Sequence, residues 1–361
     1  MSRSRGVLAL LAILPAILSA QAKPVSVAEA QSVLAPFVET YAPSGMEGPM
    51  RNAVLRALPR WAHPITDSAG DLRLTVGRGA PLVVFIAHMD EIGFSVTAIR
   101  DDGSLELRPL GGFLPFLFEA EPALVHTGAA DVPGVFTPAD SQPAGRRGIA
   151  FRVDLGVSSR AAAESLGVSV GNSVTMPKSY ARLAGTRATG RSFDDRVGAT
   201  ALVLAVRHLD RSRLRHAVTF VWSVREETGL DGAQVVARSL GTSVARVHAI
   251  DTFVSADSPL EPQNFAVAPL GRGPVARAVD QSSVTPPAYV DSLVALARAR
   301  RIPLQVGATN GGNDGSAFAP WGVVDVPIGW ALRYAHSPVE VADLRDVAGL
   351  ADLVRAVAEG W

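Results

Sequence analysis

Residues 82–87 read Leu-Val-Val-Phe-Ile-Ala, an apolar run with no polar side chain to turn toward water. Successive side chains of a strand face opposite sides of its sheet, so a run without alternation has to be covered on both faces. Residues 218–224 (VTFVWSV) and 247–250 repeat the pattern, and 324–330 is a further strand candidate. Helical periodicity is predicted for 195–209, 233–240, 289–300 and 341–359, and for 27–41 and 47–58 ahead of the first buried strand. Alternating strands and helices predict an α/β domain whose central, mostly parallel sheet is flanked by helices. Residues 92–187 break this rhythm. They are rich in Gly and Pro, with short alternating runs at 104–107 and 149–155 and one helical stretch at 161–166. They predict a small β-rich domain inserted into an α/β domain built from 23–91 and 188–361.

Composition removes several classes of function. The 361 residues carry 34 Lys+Arg against 34 Asp+Glu, so no global basic field invites nucleic acid. An apolar content of 48% argues against disorder. With no cysteine, a disulfide scaffold, a thiol nucleophile, a thiolate zinc site and an iron–sulfur cluster are excluded, and any metal must be held by His and carboxylates. At the N-terminus, Arg3 and Arg5 precede an apolar run at 7–18, followed by Ala20-Gln21-Ala22. That is the layout of a secretory signal peptide. The run is too short for a stable membrane anchor and Pro15 interrupts it. The expectation is a signal peptide at residues 1–22, a mature chain beginning near Lys23, and a location in the periplasm or outside the cell.

Each buried strand ends in a residue able to bind a metal. In open α/β sheets ligands bind beyond the carboxyl ends of the strands. The run at 82–87 is followed by His88, with Asp90 two residues on; 218–224 by Arg225-Glu226-Glu227; 247–250 by Asp251; and the strand near Trp330 by Tyr334-Ala335-His336-Ser337. Asp194 and Asp195 precede the helix that starts near Arg196. Any one of these alone reads as a solvated loop residue, because strand ends meet water. Two features argue otherwise. Adjacent Glu226 and Glu227 crowd like charges, which costs energy unless a cation is near. The His88-x-Asp90 spacing lets a carboxylate orient an imidazole on a metal. Together His88, Asp194, Glu227, Asp251 and His336 as ligands, with Glu226 as general base, are chemically complete for a two-metal hydrolase.

The segments AHMDEIGF (87–94), SFDDRVG (192–198), REETGLDGA (225–233), IDTFVSADSP (250–259), LGRGP (270–274), NGGNDGSA (310–317) and RYAHSPVE (333–340) occur in this order. The chain thereby resembles, over nearly its whole mature length, the tetrahedral or glutamyl aminopeptidases, dimetal metallopeptidases some of which carry cellulase names. The resemblance implies a dimetal exopeptidase-like fold in which the inserted β-rich domain drives assembly into homo-oligomers. It puts the catalytic Glu on Glu226 and the aspartate that orients the first His ligand on Asp90. It puts one metal on His88, Asp194 and Asp251, and the other on Asp194, Glu227 and His336, so that Asp194 bridges. The implied cofactors are two divalent ions, Zn²⁺ with Co²⁺ or Mn²⁺ as substitutes, and the implied substrates are peptides trimmed from their N-termini. The chain departs from the family at Gly311-Gly312-Asn313-Asp314, where Gly-Gly-Thr-Asp is usual, and at residues 255–259, where Ala-Gly-Asp-Thr-Pro is frequent. Both loops are expected to line the substrate pocket. A dimetal deacylase, carboxypeptidase or dipeptidase shares the same chemistry, and a non-catalytic binding protein would share only the fold.

Other patterns are set aside. Gly167–Gly171 fits the G-x-S-x-G of a nucleophile elbow, but that motif needs a strand before it and a helix after it, the reverse of what this segment predicts. Gly271-Arg272-Gly273 is followed by Pro274, Pro286 and Pro287, which deny it the helix of a dinucleotide site. His63, His126, His208, His216 and His248 read as surface or hydrogen-bonded core residues.

Overall fold

A computed structural model describes residues 23–137, 151–261 and 266–361; the leader pattern at 1–22 and the first two residues of the run at 149–155 lie outside these. The main sheet runs in the order Ile65–Thr66, Leu72–Val76, Val218–Ser223, Leu82–His88, Val244–Val254, Ile328–Leu332, Val275–Val279, Gln305–Ala308. Its centre is parallel: Leu82–His88 lies between Val218–Ser223 and Val244–Val254, and the latter pairs in parallel with Ile328–Leu332. Antiparallel pairs lie outside this centre, Leu72–Val76 on Val218–Ser223 and Val275–Val279 on Ile328–Leu332. The sheet is thus mixed, with its parallel strands buried where the apolar runs demanded cover. Helices Val27–Val38, Phe193–His208 and Leu344–Gly360 pack into one large apolar cluster with Phe85, Phe220, Trp222 and Trp330. Helix Asp231–Leu240 and the short helix Asp314–Trp321 belong to a second cluster around Val84, Ile86, Val221 and Val247.

Several elements differ from the sequence reading for identifiable reasons. The strand expected at 324–330 is broken at Pro327, which has no N–H to give a ladder, into Val324–Asp325 and Ile328–Leu332. The last helix begins at Leu344 rather than Val341. Glu340–Asp343 is a strand paired with Arg187–Gly190, and the Asp343 carboxylate caps the helix by accepting from Arg345 N at 3.0 Å. The strands Val275–Val279 and Gln305–Ala308 are short; the first carries Arg277 within it and the second has no buried residue, so neither shows the apolar run that marks the central ones.

Between Gly93 and Thr175 the chain forms a closed barrel of strands Gly93–Ile99, Leu105–Leu110, Phe151–Asp154, Asp131–Phe136, Pro122–His126 and Ser173–Thr175. Its core is aromatic, with Phe94 packed on Phe113, Phe118, Phe136 and Phe151 at centroid distances of 4.4–5.8 Å. The chain returns through Lys178 and a hairpin, Ala181–Arg182 with Arg187–Gly190, that belongs to the α/β body.

His248 gives the core a measurable pH signature. It is fully buried and stacked on Phe85 at 5.0 Å. Its Nδ1 donates to the Val326 carbonyl at 2.9 Å, while its Nε2 accepts from Arg246 Nε at 3.2 Å. Only the neutral ring satisfies both contacts. Burial, reinforced by the Arg246 charge, pushes its pKa down to about 3. The folded pKa therefore lies below the unfolded value of about 6.5, so this contribution is complete above pH ~6.5 and is lost as pH falls toward the folded value, at about 1.4 kcal/mol per pH unit. His248→Gln should flatten the fall in unfolding midpoint between about pH 6.5 and 4; an unchanged slope would show that His248 is not held neutral.

Candidate metal centre

Because the central strands run parallel, their carboxyl ends open on one edge of the sheet. His88 closes Leu82–His88; Glu226 and Glu227 follow Val218–Ser223; Asp251 lies in the last turns of pleat of Val244–Val254; and His336 follows Ile328–Leu332. Asp194 arrives from the opposite layer, in the opening of helix Phe193–His208, where Asp194 and Asp195 depart from helical φ/ψ and are joined by a cis peptide. All six sequence-predicted ligand and base residues line a single cavity of about 430 Å³.

Asp194 is the hub. Its Oδ1 is 3.1 Å from His88 Nε2 and its Oδ2 is 3.4 Å from His336 Nε2. His336 Nε2 is also 3.4 Å from Glu227 Oε1, a buried oxygen that receives no hydrogen bond. Ligand atoms of His88, Asp194 and Glu227 all lie within 4.8 Å of one another. Asp251 lines the same cavity; its Oδ1 accepts from Thr252 N at 2.6 Å, and the Thr252 hydroxyl reaches Asp194 Oδ2 at 3.4 Å. Burial alone would raise the Asp194 carboxyl, but His336 and His88 reverse that and hold it well below the ordinary range. Burial raises Asp251 to about 6 despite the nearby Arg277 charge. Glu226, half-buried in the cavity wall, is held well above the usual carboxylate range by burial and by the charges of Asp251, Glu227 and Asp314, against the opposing pull of His88. Oxygen and imidazole donors packed this closely, with an orphaned carboxylate oxygen among them, fit divalent cations.

Asp90 does not face the cavity but fixes what does. Its Oδ1 accepts from Glu226 N at 3.0 Å and lies 3.4 Å from His88 Nδ1; its Oδ2 accepts from Glu227 N at 3.2 Å and from the Ser44 hydroxyl at 2.5 Å. One carboxylate thus sets a ligand imidazole and the backbone of both glutamates. Burial would raise Asp90, but His88, Ser44 and the Glu226 N–H outweigh it and hold the group ionised.

Several supporting residues escaped the sequence reading, two of them, Glu340 and Glu91, inside its motifs. Glu340, the last residue of RYAHSPVE, accepts from Phe193 N at 2.6 Å and Asp194 N at 3.4 Å with one oxygen, and from His336 N at 3.1 Å with the other. It ties Asp194 to His336, and burial beside Asp194 raises it to about 8. Glu91, next to Asp90, gathers three buried cations, Arg191 at 2.7 Å, Lys178 at 2.8 Å and Arg196 at 3.4 Å. They lock the approach to Asp194 and the return from the barrel onto the His88 strand. Arg277, fully buried, spans Asp251 at 3.5 Å and Asp280 at 3.0 Å and donates to the Gly312 carbonyl at 3.0 Å. Charge type alone could not single these out, because buried acids and bases look like surface ones in sequence. The backbone is strained where the site residues leave their strands: Ser192, Arg225 and His336 all have φ between 54° and 66°.

Among the set-aside patterns, Gly167–Gly171 lies between helix Arg160–Ser165 and strand Ser173–Thr175, the wrong order for an elbow. The Gly271 and Gly273 N–H groups donate to Asp346 at 2.6 and 2.7 Å, clasping that loop to the last helix. His126 is bonded to Asp131 and Thr175, each at 2.8 Å, and His208 to Glu29 at 2.9 Å. Of the two loops expected at the pocket, residues 310–312 line it, whereas 255–259 supply none of the described lining residues.

The profile of one peptidase family matches residues 70–353. The chain belongs to the M42 glutamyl aminopeptidase family. It is 32% identical over 305 residues to a lysyl aminopeptidase of Pyrococcus furiosus, covering 81% of this chain and 86% of that protein. Among solved structures it is similar to an aminopeptidase of the archaeon Desulfurococcus kamchatkensis, with 30% identity, TM-score 0.85, and 93% and 96% of the two chains covered. It is also similar to the TET1 peptidase of Pyrococcus horikoshii, which assembles into a tetrahedron or a large octahedral shell, with 30% identity, TM-score 0.82, and 93% and 100% covered. Like the M42 family, the protein is a metal-dependent aminopeptidase of mixed α/β fold with an additional small barrel. Asp90→Asn should weaken metal binding about 10- to 100-fold, measured by competition with a chromogenic chelator, because it loosens His88 and both glutamates together; unchanged affinity would confine Asp90 to a packing role.

Proposed function

We propose that the protein removes N-terminal residues from peptides at a centre of two divalent cations, Zn²⁺ with Co²⁺ or Mn²⁺ as substitutes. His88, Asp194 and Asp251 would hold one, and Asp194, Glu227 and His336 would hold the other. The observation that carries this reading is Asp194, whose two oxygens address two different imidazoles at 3.1 and 3.4 Å. Oxygens aimed at imidazoles on two different elements suit a carboxylate shared between two ions. When bound, the cations supply the Lewis acidity that makes water acidic near neutral pH and balances negative charge on the scissile carbonyl oxygen. Glu226 is the proton carrier: its carboxylate takes the proton of the attacking water and returns it to the departing amine. Its N–H bond to Asp90 holds it at the cavity wall. Glu340 holds the backbone of Asp194 and His336 in register while charge at the centre changes.

We further propose that 23–91 and 188–361 carry the chemistry, that 92–187 mediates assembly, and that the protein is a homo-oligomer. The assemblies of the Pyrococcus horikoshii relative support this reading. The Arg3-to-Ala22 leader pattern supports export to the periplasm or beyond. No helix of the described residues is long and apolar enough to cross a membrane.

Glu226→Gln should retain both metals by elemental analysis yet lose about 10²- to 10⁴-fold in kcat toward aminoacyl-nitroanilides; full turnover would remove Glu226 from the role of base. Asp194→Ala should lose both ions together. One ion still held tightly would contradict the bridge. Turnover of N-acylated amino acids in place of aminoacyl-nitroanilides would assign the same centre to a deacylase.

A further inference from the structure

The cavity in front of the metal cluster has two unlike walls. One comes from the barrel: Phe113 and Leu114 follow strand Leu105–Leu110 and present apolar surface toward the centre, with Val254 nearby. The other carries Glu261, on the loop after strand Val244–Val254. That loop is pinned to the segment bearing His336. Arg333 pairs with Asp257 at 2.6 Å, the Tyr334 N–H donates to the Ser258 hydroxyl at 3.1 Å, and the Glu261 N–H donates to the Ser258 carbonyl at 3.1 Å. Glu261 is therefore held at a fixed place relative to the proposed ligands.

The charges around it are already committed. His88, Asp194, Glu227 and His336 face one another, and Asp251 is matched by Arg277. The Arg277 guanidinium is in turn shared with Asp280. Glu261 is half-buried, and no hydrogen bond or ion pair from the described residues reaches its carboxylate. The one charge felt at Glu261 is the His336 imidazole, which is already shared with Asp194 and Glu227; a partly desolvated carboxylate lining a cavity with so little counter-charge is stabilised by a cation arriving with the ligand.

Building on the aminopeptidase reading, we propose that Glu261 makes this a subsite for a cationic N-terminal residue, so that the preferred substrates are peptides beginning with Lys or Arg. The aliphatic stem of such a side chain packs along Phe113 and Leu114 while its charged head reaches Glu261. The apolar wall alone would accept Leu or norleucine equally well, so the carboxylate is the discriminating group.

The experiment compares kcat/KM for lysyl-, arginyl-, norleucyl- and glutamyl-p-nitroanilide, using the metal-loaded enzyme, Glu261→Gln and Glu261→Lys. The wild type should favour the lysyl and arginyl substrates over norleucyl by about tenfold or more. Glu261→Gln should bring that ratio close to one, and Glu261→Lys should shift it toward the glutamyl substrate. Circular dichroism and elemental analysis of each variant report that it is folded and loaded. A wild type without cationic preference overturns the proposal. So does a Gln variant that loses all substrates in proportion, since Glu261 would then serve the α-amine common to them. If the wild type hydrolyses no aminoacyl substrate at all, the aminopeptidase reading itself fails and this subsite with it.

Discussion

Buried like charge is the constraint around which this protein is arranged. Asp194, Asp251, Glu226 and Glu227 crowd one cavity, and carboxylates this close repel unless cations intervene. Asp194 carries the greatest share of that problem, because it is buried and faces an imidazole on each side. Much of the surrounding structure holds this one side chain in place. Glu340 grips its backbone, Thr252 reaches its second oxygen, and the cations around Glu91 lock the segment that leads into it. On the proposed reading, metal binding offsets the cost of assembling the cluster and couples the folding of this edge of the sheet to the ion.

Much of the α/β body was legible because its signals are local. A short, β-branched apolar run bounded by turn residues reads as a strand covered on both faces, and the residue that ends it emerges at the rim. His88 and the pair Glu226-Glu227 were found this way. Asp251 and His336 followed by the same logic, although Pro327 split the strand ahead of His336. The barrel was legible only as a change in rhythm, since its short strands earn their stability from closing on one another around Phe94 rather than from their own patterning. Residues 341–343 read as the start of a helix and instead form part of the strand Glu340–Asp343 because Arg187–Gly190 offers it a partner, a contact across more than a hundred residues that local propensity does not contain.

The least legible residues do not touch the cavity's centre but hold what does. Glu91 and Glu340 each satisfy several backbone or charged partners, and nothing in their spacing separates them from surface glutamates. Their value lies in position: each links two of the segments that must meet. The strained φ angles at Ser192, Arg225 and His336 have the same meaning, since each marks a place where the chain is bent away from its preferred path to aim a site residue. The barrel takes part as well. Gly112 and Phe113 reach over the centre, so the inserted unit shapes the cavity.

The account stands or falls on ions flanking a single carboxylate. Anomalous diffraction at the zinc edge, from crystals of the metal-loaded protein, addresses this directly. Two peaks about 3.5–4 Å apart, each bonded to a different oxygen of Asp194, are the expected result. One peak at full occupancy with the second Asp194 oxygen free, or density placed away from His88 and His336, would contradict it.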